Sequence, residues 1–312
     1  MKNVRPAAGG ECRYRHDPAW SGRALATAPG ATHGGVAVHR DGEIYCSTDG
    51  PRSIVVFNRD GEPLRQFDPQ WAGIHALHFA AVGGEEFLLC THLTRHRIVQ
   101  LTLDGRLLWQ LGAPLESGFY QNASEFKPTA AVFGPDGCLF VADGYGASVV
   151  HQFDPQRKYV QSFGGAQAGE GQLRNCHGLT LDTRGPEPLL LICDRRNRRL
   201  VHFDLAGNFV GVPAENLRRP CGVAIFGDHL AVAELEGRVA ILDRHHRLVA
   251  AIGDNPDTRQ WAQYEVPAAA WQPGICIAPH AVDFDLQGNL FVSEWNASGR
   301  LSKFACRADL AP

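Results

Sequence analysis

The chain lacks any run of about 18 apolar residues, so no segment reads as a membrane-spanning helix. The N-terminal Met1-Lys2-Asn3-Val4-Arg5-Pro6 leads into small and polar residues without the apolar stretch of a secretory signal, which sets the expectation of a soluble, cytoplasmic protein. A block of basic charge is missing too. Lys and Arg are spread along the chain and the formal net charge is −3, so neither nucleic acid nor a membrane is an expected partner. The nine cysteines do not have the look of a disulfide scaffold. Cys46, Cys90, Cys138 and Cys193 lie in or beside strand-like apolar runs, where a thiol packs as a small hydrophobe, and the odd count favours reduced thiols.

What is present is apolar material and turns: 44% of residues are apolar and 34 are glycine, a mixture suited to many short strands. The chain is also self-similar. Each unit reads as an apolar strand, a turn carrying Asp-Gly or its equivalent, a second apolar strand such as Leu139-Phe140-Val141-Ala142, then two more strands. Six first strands align, at Val36–Val38, Ala76–Phe79, Ala130–Phe133, Gly178–Leu181, Gly222–Ile225 and Ala281–Phe284. Spacings of roughly 40 to 60 residues fit one four-stranded blade per repeat, with insertions at Pro114–Lys127 and Asn255–Ile277. The fold class read from this pattern is all-β, a six-bladed β-propeller of NHL-type repeats in a single domain over 1–312. The sixth repeat stops at Cys306 after about three strands, and a strand near Cys12–His16, with Trp20 behind it, is expected to close the ring.

The residues opening the six first strands are His33, His75, Thr129, His177, Cys221 and His280. In a propeller the first strand of every blade lines the central channel, and alternate blades of six stand about 120° apart. Blades two, four and six open with His75, His177 and His280. Three neutral imidazoles converging on one point suit Zn²⁺, or another divalent transition metal, with a fourth position left open as in catalytic zinc. His33 is a candidate fourth ligand or a channel-lining residue. The bland alternative is that polar residues simply suit a wet channel mouth. Tyr145 follows the second strand of blade three, where it can serve as an acid or base or pack as a loop aromatic. Arg195 occupies the matching place in blade four and can grip a carboxylate. Asp194, Asn197 and Arg199 around it read as an ion-pair and turn network, and Cys176 and Cys221 as packing thiols. Trp261, Tyr264 and Trp271 in the second insertion either cover the pocket or form a packed loop.

At these residues the chain resembles the peptidyl-α-hydroxyglycine α-amidating lyases, zinc-using NHL propellers that cleave a carbinolamide to a primary amide and glyoxylate. The likeness runs over about residues 30 to 306. His75-Ala76-Leu77, Cys176-His177-Gly178-Leu179 and Pro279-His280-Ala281-Val282 look like that family's three zinc-histidine segments. Val141-Ala142-Asp143-Gly144-Tyr145 looks like the segment of its catalytic tyrosine, and Cys193-Asp194-Arg195 like the strand end bearing an active-site arginine. The family's blade-one arginine has only a displaced counterpart, Arg52, as a further substrate-binding candidate. Its calcium-linked acidic residue is Ala281 here, which leaves Ca²⁺ without that support, and its cysteines near the tyrosine are absent.

The resemblance implies a zinc-dependent lyase on a small N-acyl carbinolamine, entering the central channel. On that resemblance zinc would stabilise the substrate alkoxide, Tyr145 would move the proton and Arg195 would hold a carboxylate. A metal-dependent hydrolase using the same open site, a calcium lactonase and a metal-free binding scaffold are the alternatives, while substrate identity and oligomeric state stay open.

Overall fold

The computed structural model describes residues 13–27, 29–82 and 84–307, so Cys12 lies outside the described residues. Strand β1 (Arg13–His16) leads into helix α1 (Pro18–Ala26), whose N-terminus is capped by the Asp17 carboxylate accepting from Trp20 N–H. Six four-stranded antiparallel sheets account for the named strands. The first holds β2 (Val36–Val38), β3 (Ile44–Ser47), β4 (Ile54–Phe57) and β5 (Pro63–Gln66). Next come β6 (Ile74–Val82), β7 (Glu85–His92), β8 (Arg97–Leu101) and β9 (Leu107–Leu111), then β10 (Ala130–Phe133), β11 (Leu139–Ala142), β12 (Val150–Phe153) and β13 (Tyr159–Phe163). The fourth sheet is β14 (Cys176–Asp182), β15 (Leu189–Asp194), β16 (Arg199–Phe203) and β17 (Phe209–Ala214). The fifth is β18 (Pro220–Phe226), β19 (His229–Glu234), β20 (Arg238–Leu242) and β21 (Leu248–Ile252). The last is β22 (Pro279–Phe284), β23 (Leu290–Glu294) and β24 (Arg300–Arg307), completed by β1. This is the make-up of a six-bladed β-propeller.

Pairing of β1 with β24, Arg13 opposite Arg307 through His16 opposite Phe304, supplies the strand that the sixth repeat lacks. Here one sequence expectation is corrected. Cys46, Cys90, Cys138, Cys176, Cys193, Cys221 and Cys276 are free thiols, but Cys306 is disulfide-bonded. It stands in β24, opposite Tyr14 of β1.

Burial explains the strand order. The second and third strands are apolar on both faces, as in Leu139–Ala142 and Ile54–Phe57, where every residue is buried. The outermost strands instead leave apolar residues exposed, such as Val210 and Val249. Asp side chains fasten the hairpin turns. In the β16–β17 turn, Asp204 Oδ1 accepts from Ala206 N–H and Asn208 N–H, at 2.9 and 2.8 Å. Gly207 there has φ +83°, and a Cβ on it would meet the Phe163 ring at 2.7 Å.

A second device recurs where the second strand ends and the third begins. Asp194, Glu234 and Glu294 face Arg199, Arg238 and Arg300 in register, and each forms an ion pair. The Asp194 Oδ1 also accepts from Arg174 N–H at 2.7 Å, while Oδ2 takes Arg199 Nε and Asn197 Nδ2, each at 2.8 Å. Asp194, Asn197 and Arg199 thus form the ion-pair and turn network expected of them.

The contacts divide the chain into two compact units, one of Met1–Ala72 with Val223–Pro312 and the other of Gly73–Gly222. In the second, β10 packs against β6 and β7 on one side and β14 on the other. In the first, β22 packs against both β2 and β19. No described helix is long and apolar enough to cross a membrane.

Candidate active site

Each of the three histidines sits at the same irregularity. His75, His177 and His280 are passed over where pairing between the first and second strands slips, at Ile74/Ala76, Cys176/Leu179 and Pro279/Ala281. A slip of this kind re-aims a side chain out of the strand's alternation. It also means that the first strands of these blades begin earlier than the apolar pattern indicates, taking in the histidine itself.

Within Gly73–Gly222 the site draws on the second, third and fourth blades and on Cys221 at the start of the fifth. His75 Nδ1 lies 2.7 Å from the Thr129 carbonyl oxygen, and His177 Nδ1 lies 2.9 Å from that of Cys221. A carbonyl only accepts, so both rings donate from Nδ1, and the neutral rings carry their lone pairs on Nε2. Each histidine is therefore oriented by the residue that opens the following blade. The two rings stand 4.8 Å apart, centroid to centroid, and both side chains are buried. Tyr145, in the loop after β11, packs edge-on against both, at 5.4 Å from His75 and 5.3 Å from His177. Its hydroxyl is 2.9 Å from His177 Nε2.

Arg195 stands directly after β15 and is buried. Its Nη1 donates to the Tyr145 oxygen at 3.2 Å and to Cys221 Sγ at 3.7 Å, and its guanidinium lies over the Tyr145 ring at 5.1 Å. Nε of Arg195 is buried and makes no hydrogen bond among the described residues. Burial raises the Tyr145 phenol above its ordinary value, with Arg195 pulling the other way. The resting phenol is consequently protonated near neutrality and donates to His177. Burial also works against the Arg195 charge, but Cys221 and Tyr145 outweigh it and hold the guanidinium above its usual value.

The loop carrying Tyr145 is held close to its neighbours. A Cβ on Gly144 would fall 2.1 Å from the Cys176 carbonyl oxygen, so only glycine lets the two backbones approach. Asn175 Nδ2 donates to the Gly144 carbonyl from below the same loop.

In the other unit, the buried His280 ring lies 5.1 Å from His33, which in turn lies 6.2 Å from Trp295. Tyr264 stacks on Trp295 at 5.0 Å, Trp261 Nε1 donates to the Asn255 carbonyl, and Trp271 Nε1 donates to that of Val266. These contacts hold the three aromatic residues of the second insertion in place. Arg52 donates from Nη1 to the Thr27 carbonyl and from Nε to Gln66 Oε1, bonds that tie the first blade to the end of α1.

Two features escaped the sequence reading. The Thr129 and Cys221 carbonyls orient the histidines, although both residues were visible as blade openers. Cys221 was read as packing, yet its sulfur also meets Arg195. The acids at the ends of second strands or directly after them are occupied: Asp143, Asp194 and Glu294 accept from backbone N–H groups, and Glu234 is paired with Arg238.

No protein-family model matches the chain. Among solved structures it is similar to a streptogramin B lyase, with 13% identity over 89% of this chain and 95% of that one and a TM-score of 0.61. A virginiamycin B lyase from Staphylococcus aureus shares 12% identity over 95% and 99% of the two chains, at TM-score 0.62. A gluconolactonase from Xanthomonas campestris shares 14% over 97% and 99%, at TM-score 0.64. At these identities the likeness establishes the fold, and the chain is a six-bladed β-propeller.

Proposed function

We propose that this protein is a zinc-dependent lyase that cleaves the C–N bond of a small N-acyl carbinolamine, an α-hydroxyglycine-like compound, to an amide and a carbonyl product. The observation that carries the reading is the position of the Tyr145 hydroxyl, between His177 Nε2 at 2.9 Å and Arg195 Nη1 at 3.2 Å. A proton-bearing group beside both a metal-type ligand and a fixed cation is what this reaction needs. That propellers of this fold include lyases and a lactonase is consistent with chemistry on such a scaffold.

The donor chemistry of His75 and His177 fits zinc: both rings are locked through Nδ1–H to a backbone carbonyl, the arrangement that directs Nε2 to a metal. His280, at the same strand slip in its own blade, is taken as the third ligand. Zinc, when bound, supplies Lewis-acid polarisation of the substrate hydroxyl oxygen. Tyr145 carries the hydroxyl proton to the leaving nitrogen. The C–N bond breaks, the C–O bond becomes a carbonyl, and nitrogen leaves as a neutral primary amide. Arg195, with its unengaged Nε, holds the substrate carboxylate.

Incubation of the zinc-loaded protein with an N-acyl-α-hydroxyglycine in ¹⁸O-labelled water tests the proposal. Equal yields of amide and glyoxylate, with the carbonyl oxygen inherited from substrate in the first turnovers, are expected. Cleavage of the acyl–nitrogen bond with solvent oxygen in the acid product would make it a hydrolase.

A further inference from the structure

Asp143 directly follows β11, the second strand of its blade, stands two residues before Tyr145, and is fully buried. Its carboxylate closes the loop from inside. Oδ1 accepts from Lys127 N–H at 2.7 Å and Oδ2 from Ala147 N–H at 2.6 Å, while the Asp143 carbonyl takes Ser148 N–H at 2.9 Å. Gly146 leaves the room this needs, because a Cβ there would fall 2.2 Å from the carboxylate. On its far side Oδ2 accepts from the Tyr120 hydroxyl at 2.6 Å.

Tyr120 comes from the first insertion, Pro114–Lys127. Its ring is buried, 5.7 Å from Phe126 and 5.6 Å from His151. From Tyr120 a chain of hydrogen bonds runs outward: to His151 Nε2 at 2.5 Å, from His151 Nδ1 to Ser162 Oγ at 2.7 Å, and on to the Tyr159 hydroxyl at 2.8 Å. The carboxylate can only accept, so Tyr120 donates to it and must accept from His151 Nε2–H. His151 Nδ1 then accepts from Ser162, whose oxygen accepts from Tyr159. Every donor points toward Asp143. Burial holds His151 down to about 4, keeping it neutral as this ordering requires. A polar chain satisfied in one direction is stiff, since turning any member breaks two bonds.

We infer that Tyr120 and His151 are positioning residues that fix the Tyr145 hydroxyl at His177 and Arg195 by bracing the Asp143 carboxylate. The inference rests on Tyr145 being the proton carrier. The first insertion is thereby a strut for the site, and the blade's outer strand is linked to the residue that does the chemistry.

The test uses the full chain labelled with 3-fluorotyrosine, the Tyr145 ¹⁹F resonance being identified by its loss in Tyr145→Phe. Tyr120→Phe keeps the ring and removes only the hydroxyl. The expected result is a folded protein whose Tyr145 resonance shifts and broadens, with kcat on the carbinolamine lowered by about 10- to 100-fold and KM changed by less than about twofold. Ser162→Ala, at the outer end of the chain, covers the case in which Tyr120→Phe fails to fold, and is expected to shift the same resonance by a smaller amount. An unmoved Tyr145 resonance in the folded variants would overturn the inference and leave the chain a support of the blade alone. A moved resonance in a protein that does not turn over carbinolamines would uphold the bracing while removing the proposed reaction.

Discussion

Tyr145 donates its phenolic proton to Nε2 of His177 across 2.9 Å, and the direction of that bond is set at the opposite side of the ring, where Nδ1–H is held by the Cys221 carbonyl. On the proposed reading a metal held by His177 would take the same lone pair, and the Tyr145 hydroxyl, still held beside Arg195, would then face the substrate instead of the ring.

Tyr145→Phe removes the hydroxyl proposed to carry the proton and little else. Turnover is expected to fall by about 10²- to 10⁴-fold, the usual weight of a positioned acid or base, and chemical denaturation should show a loss of only about 1 kcal/mol. A comparable fall in both quantities would assign Tyr145 to packing.

Arg195→Lys keeps the charge and loses the planar guanidinium, including the Nη1 that reaches both Tyr145 and Cys221. With a carboxylate-bearing substrate, steady-state kinetics should show KM raised by about 10- to 100-fold, as for a lost charge-assisted hydrogen bond. Substrates without the carboxylate should be affected much less.

Gly144→Ala puts a methyl group 2.1 Å from the Cys176 carbonyl oxygen and 2.8 Å from Thr129 Oγ1. Backbone must move, at a stability cost of about 1–3 kcal/mol by denaturant titration, and turnover should fall as Tyr145 moves with its loop.

Asp283 accepts from Val38 N–H at 2.7 Å and Phe284 N–H at 2.8 Å, and burial pushes its carboxyl up to about 7 against those donors. An acid whose folded value is raised holds its proton longer in the folded state. Its contribution to stability is thus present at low pH and is lost as pH climbs from the unfolded value near 4 toward 7. Unfolding free energy followed across that window should carry a downward contribution from this group, and Asp283→Asn should remove it. An identical pH slope in the two proteins would place the ionisation of Asp283 elsewhere.

The strand repeats were legible because a buried blade strand needs apolar residues on both faces, as at Leu139–Ala142, where the sequence and the structure agree on the strand. The missing strand of the sixth blade was legible for a similar reason: a repeat that ends short at Cys306 leaves an edge that β1 pairs with. The starts of β6, β14, β18 and β22 were not, since a polar opener such as His177 carries no apolar signal although it belongs to the strand. The carbonyls of Thr129 and Cys221 escaped because a backbone acceptor has no residue signature. Tyr120 escaped because an insertion has no period to place it in, and the disulfide at Cys306 because its strand pairing joins distant parts of the chain.

Metal content tests the central claim most directly. Elemental analysis of purified wild-type protein beside His177→Ala and His280→Ala should find about one equivalent of zinc or another divalent transition metal in the wild type and none retained by either folded variant. A folded wild-type protein that is metal-free and takes up no added zinc would contradict the account.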